Sequence, residues 1–282
     1  MKFDFHCHSD FSDGTLSPRH LWERAHANQL TGWALTDHDT VDGVTALYES
    51  GVVEGRHPIF VPGVEISATC HDTTIHVLGL NIDVFHPQLQ KLLAKHQAIR
   101  QTRHQWFCSQ MRHFWPEIDW AQLFKKIVGQ GVPCRSHIAR ALTEAKLAQN
   151  VGQAFEKWLR RGKRLAYRTN WSTATEVIRV IHEAGGDAGL AHPARYRLSK
   201  SRLTQLMEIL TQDGLDFIEV SYPGVQPSQQ NWLSRLCQRL RLRASIGSDY
   251  HGPEQGWNDL GRCHLPENNV PIWTTWPDFQ NG

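Results

Sequence analysis

The side chains best suited to chemistry in this chain are histidines and carboxylates that stand where apolar, strand-like segments end. The first are His6 and His8, which follow the apolar positions Phe3 and Phe5. Alternate side chains of a strand point to the same face, so the two imidazoles project together while Cys7 points away. Two neighbouring imidazoles are half of a metal site. One such pair is only weak support for a metal site, so the interpretation depends on the other segments.

Six further segments carry side chains of the same two types. The full set comprises His6, His8, Asp13, His38, Glu65, His76, His192, Asp249 and His251. Taken alone, Glu65 fits a buried ion-pair partner and His76 a hydrogen-bonded core histidine. Asp13 and Asp39 equally fit turn residues. Taken jointly, these polar residues at one edge of a fold would each need a separate partner. Imidazole with carboxylate binds Zn, Mn or Fe, and nine ligands fit two or three ions.

The elements that must position these residues alternate between strands and helices. Apolar runs predict seven strands, over 2–8, 32–36, 59–66, 74–80, 187–191, 217–221 and 243–247. Helices are predicted from Ser17-Pro18, from about Thr40, over 174–184 behind the capping pair Thr173 and Glu176, and over roughly 200–212 and 228–240. Such alternation implies a parallel sheet, and about seven strands suggest a closed or nearly closed barrel. Its active site would lie at the C-terminal strand ends, and the tail after Leu260 would wrap the surface.

Residues 91–170 break this alternation with helices rich in basic residues. They hold 16 Lys+Arg against 4 Asp+Glu, a net charge of +12, whereas the rest of the 282-residue chain holds 14 against 24, a net charge of −10. An acidic frame suits cations and a basic insert suits phosphates. The insert is either a solvated helical cap or a lid over the metals. Its tryptophans are interpreted as packing residues rather than base platforms: Trp106, Trp115, Trp120 and Trp158.

Cysteine usage and hydropathy narrow the class of protein. The six cysteines are scattered without a Cys-x-x-Cys pair, which argues against a zinc finger or a disulfide framework and fits a reducing cytoplasm. No apolar run approaches the roughly 18 residues of a membrane span, and the chain enters its first strand without a signal peptide. A cytoplasmic location is therefore expected.

In combination, five motifs resemble the polymerase-and-histidinol-phosphatase (PHP) superfamily of metal-dependent phosphoesterases. They lie within residues 1–90 and 171–260 and read His6-Cys7-His8, Thr36-Asp37-His38-Asp39, Gly63-Val64-Glu65, His192-Pro193 and Ser248-Asp249-Tyr250-His251. The resemblance implies an α/β fold, a distorted seven-stranded (β/α)7 TIM-like barrel with a helical insert domain. The expected division is 1–93 for the first part of the barrel, 94–170 for the insert and 171–282 for the second part.

The resemblance also implies a trinuclear metal site. The implied ligand sets are His6 with His8, Glu65 and Asp249; Glu65 with His76 and His192, Glu65 bridging; and Asp13 with His38 and His251. We expect two to three divalent ions, manganese first and iron or zinc as alternatives. His38 and His251 are the candidates for acid–base catalysis if they are not fully committed as ligands. Asp37 and Asp39 are predicted to orient imidazoles.

The closer resemblance is to family members that act on nucleoside 3′,5′-bisphosphates and on the 5′ ends of RNA. They carry an insert of this size, and the run 133–140 (PCRSHIAR) looks like theirs. Arg135, Ser136 and His137 open a predicted helix after a glycine-containing turn, which suits a phosphate. With Arg195 they form the predicted substrate-binding set. Ser136 and Ala194 depart from glycines found in some relatives, which affects only the fine shape of the pocket.

The expected function is that of a metal-dependent phosphatase and 5′-3′ exoribonuclease. It would hydrolyse the 3′-phosphate ester of 5′-phosphorylated nucleotides, releasing a nucleoside 5′-monophosphate from a nucleoside 3′,5′-bisphosphate or from short single-stranded RNA. No membrane and no obligate protein partner are expected. One alternative is a phosphatase for a small metabolite such as histidinol phosphate, which predicts no basic insert. Another is a non-enzymatic metal-binding module, which is disfavoured because no expected ligand is missing.

Overall fold

The computed structural model describes residues 1–55, 57–254 and 256–280, and it places seven strands side by side in chain order. The strands are β1 (Phe3–Asp4), β2 (Gly32–Leu35), β3 (Ile59–Cys70), β4 (Thr73–Leu80), β5 (Asp187–Leu190), β6 (Phe217–Ser221) and β7 (Arg243–Ile246). The α-helices are α1 (Pro18–Ala27), α2 (Asp42–Ser50), α3 (Pro87–Phe114), α4 (Trp120–Val128), α5 (Arg135–Glu144), α6 (Val151–Ala154), α7 (Ala174–Glu183), α8 (Lys200–Gln212) and α9 (Pro227–Arg239). None of the helices in these ranges is long and apolar enough to cross a membrane.

The caps predicted from sequence mark the starts of two barrel helices. The Ser17 side chain accepts a hydrogen bond from the His20 N–H at 3.3 Å, and Pro18 is the first residue of α1. Thr173 accepts from the Glu176 N–H at 3.2 Å at the start of α7. A cap of this kind contributes about 1 kcal/mol and fixes where the helix begins relative to the preceding segment.

The prediction of a wholly parallel sheet is wrong at β4, which runs antiparallel to both β3 and β5. Only His71 and Asp72 separate β3 from β4, and a connection that short can only reverse the chain, since parallel strands need a long crossover. The reversal matters for the site, because His76 lies in the first half of β4. That half meets the edge where the other strands end, and His76 pairs there with Ser67 of β3.

Main-chain hydrogen bonds between the first and last strand segments close the sheet into a barrel. Phe5 N–H donates to Ile246 O at 3.1 Å, Asp249 N–H donates to His6 O at 2.7 Å, and His8 N–H donates to Tyr250 O at 2.9 Å. These contacts continue past the ends of β1 and β7, so the residues after both strands are held in register. The seven-stranded α/β barrel expected from sequence is therefore confirmed.

The C-terminal tail enters the core instead of wrapping the surface as predicted. It turns through short 3₁₀ segments at Ile272–Thr275 and Pro277–Phe279. Ile272, Trp273 and Trp276 are buried, and the Trp273 ring lies 4.5 Å from that of Phe3 and 5.3 Å from that of Phe5. Apolar residues on the inner face of the barrel need cover at the end opposite the polar site, and these rings supply it.

Helices α3 to α6 and a π-helical turn at Phe155–Leu159 build a second apolar cluster beside the barrel. Along α3, Leu93 still belongs to the barrel core, whereas Phe107 and later residues belong to the second cluster. All four tryptophans pack in that cluster or against it as expected, with Trp106 5.1 Å from the Phe107 ring, the Trp115 and Trp158 rings 5.0 Å apart and Trp120 fully buried. The division into barrel and insert at residues 93 and 170 stays a prediction.

Candidate metal centre

Histidines and carboxylates from seven chain segments meet at one end of the barrel. Across the part of the chain that the structure describes, four groups place their ligand atoms within 4.8 Å of one another: His8, Asp13, His38 and His251; His6, Glu65 and His192; His6, His8 and Asp249; and His38, Glu65 and His76. Each of the nine residues selected from sequence belongs to at least one group. The segments are far apart in the chain, so only the barrel brings these residues together.

Glu65 is the centre of this arrangement. It is fully buried on β3, and its Oε1 lies 2.9 Å from both His76 Nδ1 and His192 Nε2, while its Oε2 lies 2.8 Å from His38 Nδ1. Burial opposes ionisation, but the surrounding imidazoles, with His38 foremost, hold the pKa of Glu65 well below its usual range. A carboxylate that is ionised and shared between imidazole groups on both oxygens is suited to bridging two cations.

Asp13 organises the second half of the centre. Its Oδ1 lies 3.3 Å from His251 Nε2, 3.8 Å from His38 Nε2 and 4.0 Å from His8 Nδ1. Burial disfavours the imidazolium, but Asp13 and Asp249 raise the pKa of His251 to about 9. The opposite environment surrounds His8, whose burial and neighbouring imidazoles lower its pKa to about 3. The cluster therefore contains one imidazole with a raised pKa and one with a lowered pKa, and perturbed pKa values of this kind are concentrated at functional sites.

Several polar atoms of the cluster are buried without a hydrogen bond of acceptable geometry. They are His8 Nδ1, Asp13 Oδ1, His38 Nδ1, Glu65 Oε2 and His192 Nδ1. More than nine-tenths of buried polar groups find a partner in folded proteins, and leaving one unpaired costs about 1–3 kcal/mol. Imidazole nitrogens and carboxylate oxygens converging in this way fit divalent transition-metal ions, which would supply the missing partners.

The sequence analysis missed Glu219, whose carboxylate contacts the His6 ring on the side that faces away from the centre. Its Oε1 lies 3.0 Å from His6 Nδ1, and its Oε2 accepts a 2.7 Å hydrogen bond from the His192 N–H. A proton on His6 Nδ1 leaves the Nε2 lone pair facing His8 Nε2 at 3.2 Å and the centre beyond it. The signal was available, because Glu219 is a lone carboxylate inside an apolar strand, as Glu65 is.

The roles predicted for Asp37 and Asp39 are wrong, since neither side chain contacts an imidazole of the cluster within the described ranges. Asp37 accepts from the Ser9 N–H, the Ser9 hydroxyl and the Ser12 hydroxyl at 2.6–2.7 Å, and burial raises its pKa to about 6. It shapes the loop that carries Asp13. These short hydrogen bonds from Ser9 and Ser12 satisfy the Asp37 carboxyl, and the spacing of residues in the sequence could not reveal them.

Asp39 instead joins the barrel to the insert. It accepts from the Ser67 N–H at 2.8 Å, from Arg100 Nε at 2.7 Å and from His96 Nδ1 at 2.9 Å. His96 and Arg100 both lie on α3, and Arg100 Nη1 reaches Cys134 Sγ at 3.0 Å on the segment before α5. A buried carboxylate that neighbours His38 in the chain is therefore neutralised from the insert side.

Two of the predicted substrate-binding residues contact the carboxylates of the centre. Ser136 donates its hydroxyl hydrogen to Asp13 Oδ2, and Arg195 pairs with Asp249 Oδ2 while its guanidinium lies 5.6 Å from the Tyr222 ring. Both side chains border the cavity above the centre. They can hold these carboxylates and still present donors to an oxygen-rich substrate.

The other two are engaged elsewhere. Arg135 Nη2 donates to Leu159 O at 2.9 Å, and its guanidinium stacks 5.2 Å from the Phe155 ring, although it still borders the cavity. His137 is buried, its Nδ1 accepts from the Cys134 N–H at 3.0 Å, and burial lowers its pKa to about 4. A neutral imidazole that caps its own helix supplies no charge to a phosphate.

The centre lies at the base of a cavity of about 1780 Å³ between barrel and insert. Its walls carry cations from the insert: Arg100, Arg103, Lys126, Arg135, Arg140, Arg161 and Arg168. None of the four tryptophans predicted to be packing residues is among the residues that line it. The net positive charge of the insert is thus partly directed at the metal-type side chains, where it would attract an anion.

Comparison with known proteins places this geometry among phosphoesterases. A model described as the PHP domain matches residues 4–191. The chain is 36% identical over 279 residues to the 5′-3′ exoribonuclease Rnm of Salmonella typhimurium, covering 99% of this chain and 94% of that protein. It is 31% identical over 281 residues to the 3′,5′-nucleoside bisphosphate phosphatase of Chromobacterium violaceum, covering 96% and 95%. A solved structure of an amidohydrolase from Chromobacterium violaceum superposes with a TM-score of 0.89 at 28% identity, covering 98% of this chain and 95% of that one.

Proposed function

The chain belongs to the PHP domain family, and from that premise we propose that it is a metal-dependent phosphoesterase that hydrolyses the 3′-phosphate ester of 5′-phosphorylated nucleotides. Its substrates would be nucleoside 3′,5′-bisphosphates and short 5′-phosphorylated RNA, trimmed in the 5′-to-3′ direction. The proposal rests on two features that occur together in one cavity. Nine metal-type side chains cluster at the base of the cavity, seven of them in its lining, and basic side chains of the insert form its walls.

We propose two to three divalent ions, with manganese first and iron or zinc as alternatives, held by the nine clustered residues. When bound, such ions neutralise charge on the transferring phosphoryl group and activate water as its nucleophile. Arg195 is placed to hold Asp249 and to approach a phosphoryl oxygen from the cavity side. His251 donates its Nδ1 proton to Asp249 O at 2.8 Å, which directs Nε2 toward Asp13 and the site.

Proton transfer to the leaving oxygen would fall to His251 or His38, the two candidates predicted from sequence. His251 is favoured because its Nδ1 is engaged by the Asp249 carbonyl, which leaves Nε2 on the side of Asp13 and the cavity. His38 has carboxylates near both ring nitrogens, Glu65 at one and Asp13 at the other, which suits a ligand more than a proton donor.

The dimensions of the cavity bear on the alternative of a small-metabolite phosphatase. Pockets for small ligands enclose about 300–1,000 Å³, and this one encloses about 1780 Å³. A nucleotide with the following RNA residue would use that space, whereas histidinol phosphate would leave most of it to water. The cationic walls favour a polyanion for the same reason. The non-enzymatic alternative is excluded by the enzymatic relatives and by the completeness of the clustered side chains.

The test is a pair of short RNAs that differ only in a 5′-phosphate or a 5′-hydroxyl, together with adenosine 3′,5′-bisphosphate and histidinol phosphate. We expect nucleoside 5′-monophosphates to appear first from the 5′ end of the phosphorylated RNA, and the bisphosphate to be cleaved far faster than histidinol phosphate. Equal rates on the two RNAs, or mononucleotides released from the 3′ end, would contradict the proposal. An Asp249→Ala variant that folds but has lost both metal and turnover serves as the inactive control.

A further inference from the structure

The cationic side chains that line the cavity differ in whether another group of the protein already accepts their hydrogen bonds or pairs with their charge. Arg100 forms an ion pair with Asp39, and Arg135 donates a hydrogen bond to the Leu159 carbonyl. Arg140 Nη2 donates to Asp13 O at 2.6 Å, and Lys126 pairs with Glu144 at 3.1 Å. These contacts use the charge or the donors of the side chain within the protein.

Arg103 is the exception among the buried cations. Only 6% of it is exposed, and no hydrogen bond or ion pair joins its guanidinium to any residue of the described ranges. Its guanidinium carbon lies 5.3 Å from the Trp171 ring, which Arg100 approaches at the same distance. No Arg103 nitrogen is among the fully buried, unpaired polar atoms of the described ranges, so its N–H donors open onto the cavity without an acceptor from the protein.

Its electrostatic setting agrees with an unfilled site. Burial, followed by repulsion from Arg100, lowers the pKa of Arg103 to about 9. Arg100 shares the same helix and is also buried, yet its pKa is raised, because Cys134 and the Asp39 carboxylate lie against it. The two arginines stand three residues apart, about 4.5 Å along the helix axis. One is neutralised by the protein, and the other faces the cavity with its charge uncompensated.

On the basis of this geometry, and resting on the proposed function, we propose that Arg103 binds the substrate's second phosphate, the 5′-phosphate that is not hydrolysed. The guanidinium fork matches two phosphate oxygens, and an anion would relieve the cost of burying it. Arg100 connects Arg103 to the centre, since it binds Asp39, the residue after His38. The second phosphate would therefore lie on the insert side of the cavity while the scissile phosphate lies at the metal-type residues.

The sequence analysis predicted that Arg135 and His137 bind a phosphate, and the present proposal gives that role to Arg103. His137 is a neutral helix cap, and Arg135 is stacked on Phe155 and bonded to Leu159. The motif around residue 135 therefore builds the wall of the cavity. The charge for the phosphate comes from the middle of α3, where a run of arginines and glutamines gave no sign of an anion site.

The first test compares kcat/KM of wild type and Arg103→Gln on adenosine 3′,5′-bisphosphate and on adenosine 3′-monophosphate, which lacks the 5′-phosphate. We expect the variant to lose roughly 100-fold on the bisphosphate, the order for a lost buried charge pair, and to be nearly unchanged on the monophosphate. Arg103→Lys should recover part of the loss. Arg112→Gln, an exposed arginine near the end of the same helix, is the matched control and should behave as wild type. Equal losses on both substrates, or no loss on the bisphosphate, would overturn the assignment.

The second test separates this assignment from the proposed function. If wild-type enzyme cleaves both substrates equally, the preference for a 5′-phosphate fails whatever Arg103 does. Inhibition of the holoenzyme by adenosine 5′-monophosphate then still tests Arg103: its inhibition constant should rise roughly 100-fold in Arg103→Gln, while that of adenosine stays constant. An unchanged inhibition constant would refute the anion site.

Stability distinguishes a ligand site from a structural arginine. Because the charge of Arg103 is unpaired, Arg103→Met should leave Tm unchanged or higher. Arg100→Met should lower Tm, because it leaves the buried Asp39 carboxylate without its cation. A large drop in Tm for Arg103→Met would show that the side chain serves the fold, and the proposal would be wrong.

Discussion

Replacing Glu219 with Gln tests how the barrel presents His6 to the centre. The carboxylate faces two donors, His6 Nδ1–H at 3.0 Å and the His192 N–H at 2.7 Å. Glutamine keeps the shape but has one acceptor oxygen, so its NH₂ group must face one of the two N–H groups. His6 would then turn away or adopt the tautomer with its proton on Nε2, which removes the lone pair directed at the centre.

The expected size of the effect follows from comparable sites. Losing the carboxylate behind a metal-binding histidine typically reduces metal affinity 10- to 100-fold, about 1.4–2.8 kcal/mol. The measurement is the apparent Kd for Mn²⁺, obtained by competition with a fluorescent chelator at constant pH. Glu176→Gln, on the surface of α7 where the carboxylate meets Lys95 at 3.5 Å, is the control and should bind Mn²⁺ as wild type does.

A structural explanation would have to be excluded in the same experiment. Glu219 is fully buried, so thermal unfolding of Glu219→Gln is recorded beside the titration. Weaker Mn²⁺ binding with an intact unfolding transition supports the orientation argument. An unchanged Kd would refute it, because the carboxylate would then hold the backbone of His192 without affecting the ring of His6.

Three further outcomes follow from the insert, from acid stability and from the tail. Arg161→Gln, at the exposed wall of the cavity, should lower kcat/KM on short RNA about two- to fivefold at low salt and less on a mononucleotide, whereas Lys163→Gln, outside the wall, should change neither. The pKa of His137 is about 4 folded against 6.5 unfolded, so the unfolded chain binds more protons and stability falls as pH drops from 6.5 toward 4, by up to about 3 kcal/mol. Urea unfolding of His137→Asn should show a smaller fall, with exposed His113→Asn matching wild type; parallel curves would contradict this. Trp273→Ala should cost about 3–5 kcal/mol in the same assay, and a loss below about 1 kcal/mol would show that the tail is not part of the core.

Much of the centre could be predicted because strand periodicity and residue type act together over short distances. His6 and His8 share a face through the two-residue repeat. Asp249 has a left-handed backbone (φ 47°), so its position beside His251 depends on the turn after β7 rather than on a strand repeat. The two-residue connection at His71 and Asp72 fixes the direction of β4, and His76 reaches Glu65 only because that strand is reversed. The residue was chosen for its type, and its position at the shared edge came from topology.

What the sequence could not predict depends on partners that are distant in the chain. Whether an arginine is neutralised depends on the side chain that meets it after folding, so Arg100 and Arg103 look alike in sequence and differ in the structure. Likewise, Pro- and Trp-containing tails are common on surfaces, and only the open end of the barrel explains why Trp273 and Trp276 are buried. Asp37 and Asp39 follow the same rule, since their hydroxyl and guanidinium partners lie elsewhere in the chain.

These contacts favour a lid over a solvated cap as the interpretation of the insert. A solvated cap would touch the barrel through its surface and could be removed without consequence for the centre. Here Ser136 donates to the Asp13 carboxylate and Arg140 to the Asp13 carbonyl, while Arg100 neutralises Asp39, the neighbour of His38. Both connections end within one residue of a side chain of the metal-type cluster. The insert therefore fixes the shape and charge of that cluster, and the same helices supply the cationic wall above it, so the two parts form one site.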